Sequence, residues 1–497
     1  MAFKSILWTE DGTFSNEHNF FADLNLEQVI NEITKGDQEL KQLFYLPLKS
    51  STSIAYRQKI FEDLENSKTL NSIMAFYTKI EKIDKQLQYL DKLYDYQREG
   101  VFIETVISYC NALIDLAADL SNAPLKSTGL ADFRDFLKTY LESHEFTVLK
   151  INAEKIRSSI SSIKFIITIN GGRITVKKYN GENGYNNEIV SAFSKFGVRE
   201  VNGTPEVRNN FNHIEANILK LLANIYINEF YTLKEFYKQN KNFIDQIIYK
   251  FYKEVRFYLF FIDYITPLKL GGLSFCLPQI DPNCEKVFGK EMFDFVLAKK
   301  LIKENKKIVT NDFYLDERIV VITGPNSGGK TTFARAFGQM HAFGRLGLPV
   351  PGRAASLCLC DHIFTHFEIV ERVENLTGKF EDDLVRIRQI IDKSTEKSVL
   401  IINEMLSSTS IYDAKVIGKQ ILEIIKGKGA ICVYVTFIDD LAKIKGVLSM
   451  VAQVDPNDPS IRTYKIVVQE ASSKAYTDVL ARKYGLSKEM VLRRLKA

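Results

Sequence analysis

The chain has 497 residues, too many for one hydrophobic core, so we expect roughly two to four domains. Hydrophobic residues make up 45% and charged residues 26%, which excludes a disordered or fibrous chain. A net charge of +5 is small for a dedicated DNA-binding domain, so any DNA site would be a local basic patch.

The chain shows no targeting signal in its sequence. Residues 1–14 lack the apolar core and the cleavage site of a signal peptide. The most apolar stretch outside the phosphate-loop region, residues 257–265, is too short to cross a bilayer. Six scattered cysteines are typical of reduced thiols in a large intracellular chain. We therefore expect a cytoplasmic protein without membrane contact.

The first third of the chain is predicted to be helical. Apolar residues recur at helical spacing in several segments between residues 20 and 160. Two β-branched runs follow within residues 162–179, and they meet at Asn170-Gly171-Gly172, which predicts a hairpin. The polar, Gly-rich residues 181–203 are predicted to form a loop.

The segment 209–265 contains neither Pro nor Gly, and its apolar residues recur every three or four positions. As one helix it would span roughly 80 Å at 1.5 Å per residue. Such a helix would be a lever or a coiled-coil arm, and the alternative is two stacked core helices with a kink. The segment from Pro267 to Gly272 is predicted to break the run.

The C-terminal half alternates between short apolar strands and helical stretches. Strands are predicted at residues 318–323, 398–403, 430–436, 450–454 and 463–468. This alternation predicts a mainly parallel sheet with helices on both faces.

A zinc site is one interpretation of Cys358, Cys360, His362 and His366, which lie close together in the sequence. Their Cys-x-Cys spacing lacks the usual knuckle, and no second pair follows at a finger spacing. A strand with alternating faces that begins at Ser356 is the favoured interpretation.

One motif carries the chemistry of the chain. Residues 324–331 match G-x-x-x-x-G-K-[ST] in full, after a strand and before a helix. Backbone N–H groups and the helix N-terminus would bind phosphates, Lys330 would reach the outer phosphates, and the Thr331 hydroxyl would ligate Mg²⁺. We therefore predict ATP with Mg²⁺, held by Gly324, Pro325, Asn326, Ser327, Gly328, Gly329, Lys330, Thr331 and Thr332.

A second motif follows about seventy residues later, where the apolar run 399–402 ends at Asn403 and Glu404. In such an arrangement the first polar residue holds Mg²⁺ and the second activates the attacking water. We predict Asn403 as a metal ligand without charge, and Glu404 with Lys330 as catalytic residues. The alternative is a surface Glu at the end of a strand.

The C-terminal half resembles the ATPase domain of the MutS family of DNA mismatch-repair proteins. The resemblance rests on TGPNSGGKTT at 323–332, VPGR at 350–353, DHIFTH at 361–366, NEMLSSTSIYD at 403–413 and AYTDVLARKYGL at 475–486. The segment 308–312 resembles the part of the family that packs on the nucleotide base, which implies that Asn311 binds the cofactor. More weakly, residues 44–49 and 56–59 resemble the start of the family's helical lever.

The resemblance implies an ABC-like P-loop NTPase domain preceded by a helical lever with a small β-hairpin. We expect an N-terminal segment at 1–40, a lever at 41–268 with a reduced clamp at about 160–205, the ATPase domain at 269–470 and a helical dimerisation tail at 471–497. It also implies a homodimer through the ATPase domains that clamps DNA in repair or recombination.

The sequence departs from the family pattern in several places. No segment before Phe44 is long enough for the mismatch-recognition and connector domains, the signature loop reads Gly378-Lys379-Phe380, and Phe437 stands where the family has His. We therefore expect slow hydrolysis and no dedicated mismatch recognition. A nucleotide-switched scaffold that binds proteins is the alternative, while residues 407–413 and the long helical run disfavour a metabolic kinase.

Overall fold

The computed structural model describes residues 3–8, 19–171, 173–181, 213–368, 379–407, 409–458, 461–471, 486–487 and 490–491. The chain forms two compact units, one of residues 1–4 and 63–253 and one of residues 5–62 and 254–497. These divisions differ from the expected boundaries at 41 and 268, because residues 5–62 and 254–268 belong to the unit that holds the phosphate loop.

The first unit is mainly helical. Asn66, Ser127 and Ser143 each accept hydrogen bonds from backbone N–H groups in the first turn of the helix that follows, which fixes where three of the helices begin. The helices before its hairpin are Ser67–Tyr89, Gln97–Ser121, Thr128–Leu141 and His144–Ser161, with a short 3₁₀ turn at Leu90–Lys92.

The helix Gln97–Ser121 is long and apolar enough to cross a membrane by length and composition alone. Within its most apolar window, 56% of the residues are buried inside the protein. Phe102, Leu113 and Leu116 lie in the core, and the Phe102 ring contacts the ring of Phe243 at a centroid distance of 5.4 Å. The packing therefore accounts for the apolar composition as that of a core helix.

The predicted hairpin is present as strands β1 (Phe165–Asn170) and β2 (Arg173–Lys178), paired antiparallel from Phe165 with Lys178 to Asn170 with Arg173. The predicted loop at 181–203 lies almost entirely outside the described residues.

The prediction of one continuous helix after residue 209 is wrong. Within the described residues, the run forms three helices, His213–Ile225, Ile227–Gln239 and Gln246–Leu270. Tyr226 and Asn240 have non-helical backbone angles, and Asp245 accepts hydrogen bonds from the N–H groups of Ile247 and Ile248. Apolar spacing does not report such breaks when neither Gly nor Pro marks them.

Pro267 does not break the last of these helices either. It lies in the final turn, and the helix continues to Leu270. The chain leaves the helix at Gly272, whose φ of 87° is the left-handed conformation typical of a helix C-terminus.

The second unit begins with four helices, Asn19–Asp23, Leu26–Thr34, Gln38–Leu43 and Ser51–Leu64. Its smaller strands are β3 (Phe275–Cys276), β4 (Gln279–Asp281), β5 (Phe288–Met292) and β6 (Asn311–Tyr314). The remaining strands are β7 (Ile319–Thr323), β8 (Val350–Pro351), β9 (Ala354–Cys358), β10 (Ile363–His366), β11 (Val399–Asn403), β12 (Ile431–Val435), β13 (Leu448–Val454) and β14 (Arg462–Val468). Its other helices are Phe295–Lys303, Lys330–Gly344, Lys379–Lys393 and Ile411–Lys428, with a 3₁₀ helix at Asp439–Lys443.

The predicted mainly parallel sheet is confirmed. Six strands lie in the order β10-β11-β12-β7-β13-β14, and only β14 runs antiparallel to its neighbour. All five strands predicted from the sequence belong to it. A second sheet has the order β4-β9-β5-β6, and β3 pairs with β8.

The Cys/His segment forms two strands instead of one, β9 in the smaller sheet and β10 at the edge of the larger. They separate at Asp361, whose carboxylate accepts hydrogen bonds from the His362 N–H group and the hydroxyls of Thr395 and Ser398.

The interpretation of every cysteine as a reduced thiol is also wrong, since Cys358 forms a disulfide with Cys284. Among the described residues, no group of three or more His, Cys, Asp and Glu side chains is placed to hold a metal ion.

A buried arginine joins distant parts of the second unit. The Arg57 side chain is fully buried and donates hydrogen bonds to the carbonyl oxygens of Leu7, at 2.9 Å, and Leu346, at 3.0 Å. The guanidinium also lies 4.6 Å from the centroid of the Trp8 ring and 5.0 Å from that of Phe257. Burial lowers the pKa of Arg57 to about 10, so the side chain stays charged at neutral pH.

We predict that Arg57→Ala lowers the free energy of unfolding of this unit by about 3 kcal/mol, because it leaves two buried carbonyl groups without donors and opens a cavity. Arg353→Ala is the matched control, because the Arg353 side chain is 67% exposed and its ion pair lies at the surface. Thermal and denaturant unfolding of both variants would measure the difference. Equal stability of the two variants would contradict the prediction.

Candidate nucleotide-binding site

The phosphate loop, residues 324–331, connects the buried strand β7 to the helix Lys330–Gly344. Gly324 has a φ of 114°, and a Cβ atom there would lie 2.9 Å from the Ala452 carbonyl oxygen. Only glycine fits that conformation and that close approach. Ser327 also has a positive φ, of 59°. The loop therefore combines left-handed residues with a helix N-terminus, a backbone arrangement typical of phosphate-binding loops.

Lys330 folds back over the loop that precedes it. Its ammonium group donates hydrogen bonds to the carbonyl oxygens of Gly324, at 2.9 Å, and Pro325, at 3.1 Å. Burial lowers the pKa of Lys330, the Glu404 carboxylate opposes this change, and the Arg462 cation adds to it. The lysine is thus held at the loop, where a phosphate would compete for the same ammonium group.

The two sequence motifs meet at Thr331 and Asn403. The Thr331 hydroxyl donates a hydrogen bond to the Asn403 amide oxygen at 2.9 Å, although 72 residues separate them. Asn403 is buried as the last residue of β11, and the parallel arrangement brings the carboxyl ends of β11 and β7 to the same edge. This edge is the usual place for ligands in a sheet of this kind.

The oxygen atoms at this point fit Mg²⁺. Thr331 Oγ1 and Asn403 Oδ1 are both hard oxygen donors, and Mg²⁺ is usually held by one or two protein ligands together with waters and phosphate oxygens. Asn403 contributes no charge, so the protein offers less electrostatic attraction than an Asp would supply. Thr331 and Asn403 are therefore able to hold the metal, with the phosphates supplying most of the negative charge.

Glu404 lies directly after β11 in a strained conformation. Its φ is 51°, in the left-handed region that residues other than Gly, Asn and Asp seldom adopt. Its N–H group donates a hydrogen bond to the Val435 carbonyl oxygen on β12 at 2.9 Å, which holds the turn in place. Strain of this kind is concentrated at functional sites, and here it turns the chain sharply beside the phosphate loop.

A cavity of about 390 Å³ lies beside the phosphate loop. Residues of the helix Phe295–Lys303 and of the segment 306–311 line it, together with Gly329, Thr332, Phe333 and Tyr464. Most of the lining is apolar, which suits the flat faces of a nucleotide base.

Asn311 reaches this cavity, but its amide is already bonded within the protein. It donates to the Tyr464 carbonyl oxygen at 3.0 Å and accepts from the Ile466 N–H group at 2.8 Å. These contacts place the Asn311 amide between β6 and β14, and the binding of a nucleotide by Asn311 stays a prediction.

Sequence reasoning missed two charged residues beside the loop. Arg462 donates a hydrogen bond to the Asn326 carbonyl oxygen at 3.2 Å. The Thr323 hydroxyl donates a hydrogen bond to the Asp439 carboxyl group. Burial raises the pKa of Asp439, although this hydrogen bond acts in the opposite direction. In the sequence, the position of Asp439 three residues after the buried Thr436 was the only feature that could have indicated its place near the loop. Nothing in the strand pattern distinguishes Arg462.

Other residues singled out in the sequence either lie outside the described residues or are exposed. Gly378 lies outside them, as do Ser408 and most of the tail after residue 471. Phe437, which stands at the position expected for a His, has a side chain that is 45% exposed.

Comparison with known proteins finds its family match in the part of the chain that contains the phosphate loop. Residues 320–496 match the family model of MutS domain V. The DNA mismatch repair protein MutS of Aquifex pyrophilus is 25% identical over 499 residues, which cover 94% of this chain and 54% of the relative. Endonuclease MutS2 of Clostridium kluyveri is 28% identical over 255 residues, 48% of this chain and 31% of the relative. The chain thus spans about half or less of these relatives.

The phosphate loop on a mainly parallel sheet, with a polar strand end beside the loop threonine, defines an α/β P-loop ATPase domain. Residues 320–496 of that domain match MutS domain V, and the chain is similar to MutS proteins over most of its length.

We predict that Asn403→Asp keeps the hydrogen bond from Thr331 and adds a charge where the metal would lie. The Mg²⁺ midpoint for nucleotide binding should fall about tenfold, because affinity rises with ligand charge. ATP turnover should rise by roughly 3- to 30-fold, or about 1–2 kcal/mol of barrier. Asn403→Ala is the control and should raise the midpoint. Equal midpoints in all three proteins would mean that Asn403 is not at the metal.

Proposed function

We propose that this protein binds ATP with Mg²⁺ at the phosphate loop, hydrolyses it slowly, and acts as a dimeric clamp on DNA in repair or recombination. The observation that carries the proposal is the hydrogen bond between Thr331 and Asn403. It brings the phosphate loop and the strand that precedes Glu404 to one point, as hydrolysis of a bound triphosphate requires.

Binding would begin with the loop. Its N–H groups and the N-terminus of the helix Lys330–Gly344 attract phosphate oxygens. Lys330 would exchange its two backbone acceptors, Gly324 and Pro325, for the outer phosphates, which accept stronger, charge-assisted hydrogen bonds. The base would enter the apolar cavity beside Gly329 and Thr332.

Hydrolysis would then depend on Glu404. Its carboxylate follows β11 directly and is close enough to Lys330 to oppose the lowering of the Lys330 pKa by burial. It would orient a water molecule and take up its proton as the water oxygen bonds to the terminal phosphorus. The bond from that phosphorus to the bridging oxygen would break at the same time, and ADP and inorganic phosphate would leave. Thr331 and Asn403 would hold Mg²⁺, whose chemistry when bound is to offset negative charge on the phosphate oxygens. Because Asn403 is uncharged, we propose that turnover is slow.

We predict that Glu404→Gln leaves ATP affinity within about twofold of wild type and lowers turnover by at least ~100-fold, since general base catalysis contributes on that scale. Glu423→Gln, an exposed Glu on the helix Ile411–Lys428, is the matched control and should hydrolyse ATP normally. Calorimetric binding and steady-state phosphate release separate the two effects. Unchanged turnover in Glu404→Gln would place the base elsewhere.

The DNA part of the proposal draws on the relatives' names and on a local basic patch. The hairpin β1–β2 exposes four cations, Lys164, Arg173, Lys177 and Lys178, and residues 162–180 contain no acid. Clustered exposed cations of this kind bind phosphates electrostatically. A homodimer through the ATPase domains and a cytoplasmic location remain predictions of the same proposal.

The alternative is a nucleotide-switched scaffold that binds proteins and not DNA, and salt dependence discriminates between the two. We predict that affinity for duplex DNA falls steeply with salt, and that Arg173→Ala with Lys177→Ala reduces the slope by about 1.8, at ~0.9 per lost phosphate contact. Lys82→Ala with Lys92→Ala, exposed lysines of the same unit, is the control and should keep the wild-type slope. Absent or salt-independent binding by wild-type protein would favour the scaffold.

A further inference from the structure

Asn311 joins two sheets through its side chain. It begins β6 at the edge of the smaller sheet, while β14 is the edge strand of the larger. The Asn311 amide donates to the Tyr464 carbonyl oxygen and accepts from the Ile466 N–H group, at 3.0 Å and 2.8 Å. One amide side chain thus makes the pair of hydrogen bonds that a neighbouring strand would make with β14.

The part of β14 that Asn311 holds also contacts the phosphate loop. Tyr464 has a φ of 59°, an uncommon conformation for a bulky residue, and its carbonyl group is the one that Asn311 binds. A Cβ atom on Gly329 would lie only 3.7 Å from that same carbonyl oxygen. Two residues earlier, Arg462 bonds the Asn326 carbonyl group of the loop.

Asn311, Gly329 and Tyr464 all line the cavity beside the loop. The cavity wall formed by residues 306–311 is therefore tied, through Tyr464, to the strand that touches the phosphate loop. A further contact between these parts is the hydrogen bond from the Lys465 ammonium group to the Thr310 carbonyl oxygen. Long flexible lysines hold a position less firmly than a short amide with two hydrogen bonds does.

We propose that Asn311 is a positioning residue that sets the width of the base cavity by holding β6 against β14. It acts on the binding of the base and not on that of the phosphates. Its amide donates one hydrogen bond to β14 and accepts one from it, and these two bonds hold the side chain between the two strands. This inference rests on the proposed function, since it assigns the cavity to the base of the bound nucleotide.

The test compares ATP with inorganic tripolyphosphate, which presents the phosphates without a base. In Asn311→Ala we expect affinity for ATP to fall about tenfold, which corresponds to ~1.4 kcal/mol. Affinity for tripolyphosphate should stay within about twofold, because the phosphate loop remains intact. Calorimetry measures both affinities, and thermal unfolding shows whether the variant is folded.

Two further variants serve as a control and as a conservative substitution. Asp312→Ala removes the neighbouring side chain on β6, whose carboxylate accepts a hydrogen bond from the Glu291 N–H group, and it should leave both affinities unchanged. Asn311→Asp keeps an oxygen for the Ile466 N–H group but loses the donor to Tyr464, so it should weaken ATP binding selectively, and it replaces Asn311→Ala if that variant does not fold.

Equal weakening of ATP and tripolyphosphate in the Asn311 variants, unchanged ATP affinity, or an equal effect of Asp312→Ala would overturn the positioning role. If wild-type protein binds neither compound, the proposed function itself fails, and the inference fails with it. If wild type binds both with equal affinity, the base gains nothing from the cavity and the assignment of the cavity is wrong.

Discussion

The helix Lys330–Gly344 is buried along nearly its whole length, and the second unit is organised around it. At Gly338 an added Cβ atom would lie 2.5 Å from the Ile401 side chain and 2.7 Å from that of Leu24, so the helix is pressed between the central sheet and the N-terminal helices. Gln339 donates hydrogen bonds to the Leu24 carbonyl oxygen and the Asp294 carboxylate. Such packing on all sides fixes the N-terminus of the helix, and a loop that binds phosphate through backbone groups needs that rigidity.

The edge strand β14 adds a second constraint at the other side of the loop. It pairs with β13 along one edge, and its other edge receives the Asn311 side chain in place of a strand. Arg462 on the same strand bonds the loop at Asn326. The buried helix and β14 thus hold the phosphate loop at two separate points. The cavity that Tyr464 of β14 and residues of the segment 306–311 line lies beside the loop.

The charges at the site explain why turnover is proposed to be slow. The polar strand end beside Thr331 is an amide, and the acids close to the loop are Glu404 and Asp439, of which Asp439 has a pKa raised by burial. Lys330 and Arg462 contribute positive charge close to the loop. Because metal affinity depends on ligand charge, the Asn403 amide would hold Mg²⁺ less firmly than an Asp would, and this is the reason for proposing slow turnover.

The sequence by itself determined the phosphate loop and the five strands that build most of the central sheet, because spacing and apolar runs are local patterns that directly reflect backbone requirements. It did not determine the breaks at Tyr226 and Asn240, since neither residue interrupts the apolar period. Nor did it place residues 5–62 with the phosphate loop, or pair Cys284 with Cys358, or turn Asn311 toward β14. Those features depend on contacts between residues far apart in the chain, and only the tertiary structure decides which distant groups satisfy each other's hydrogen bonds and fill each other's space.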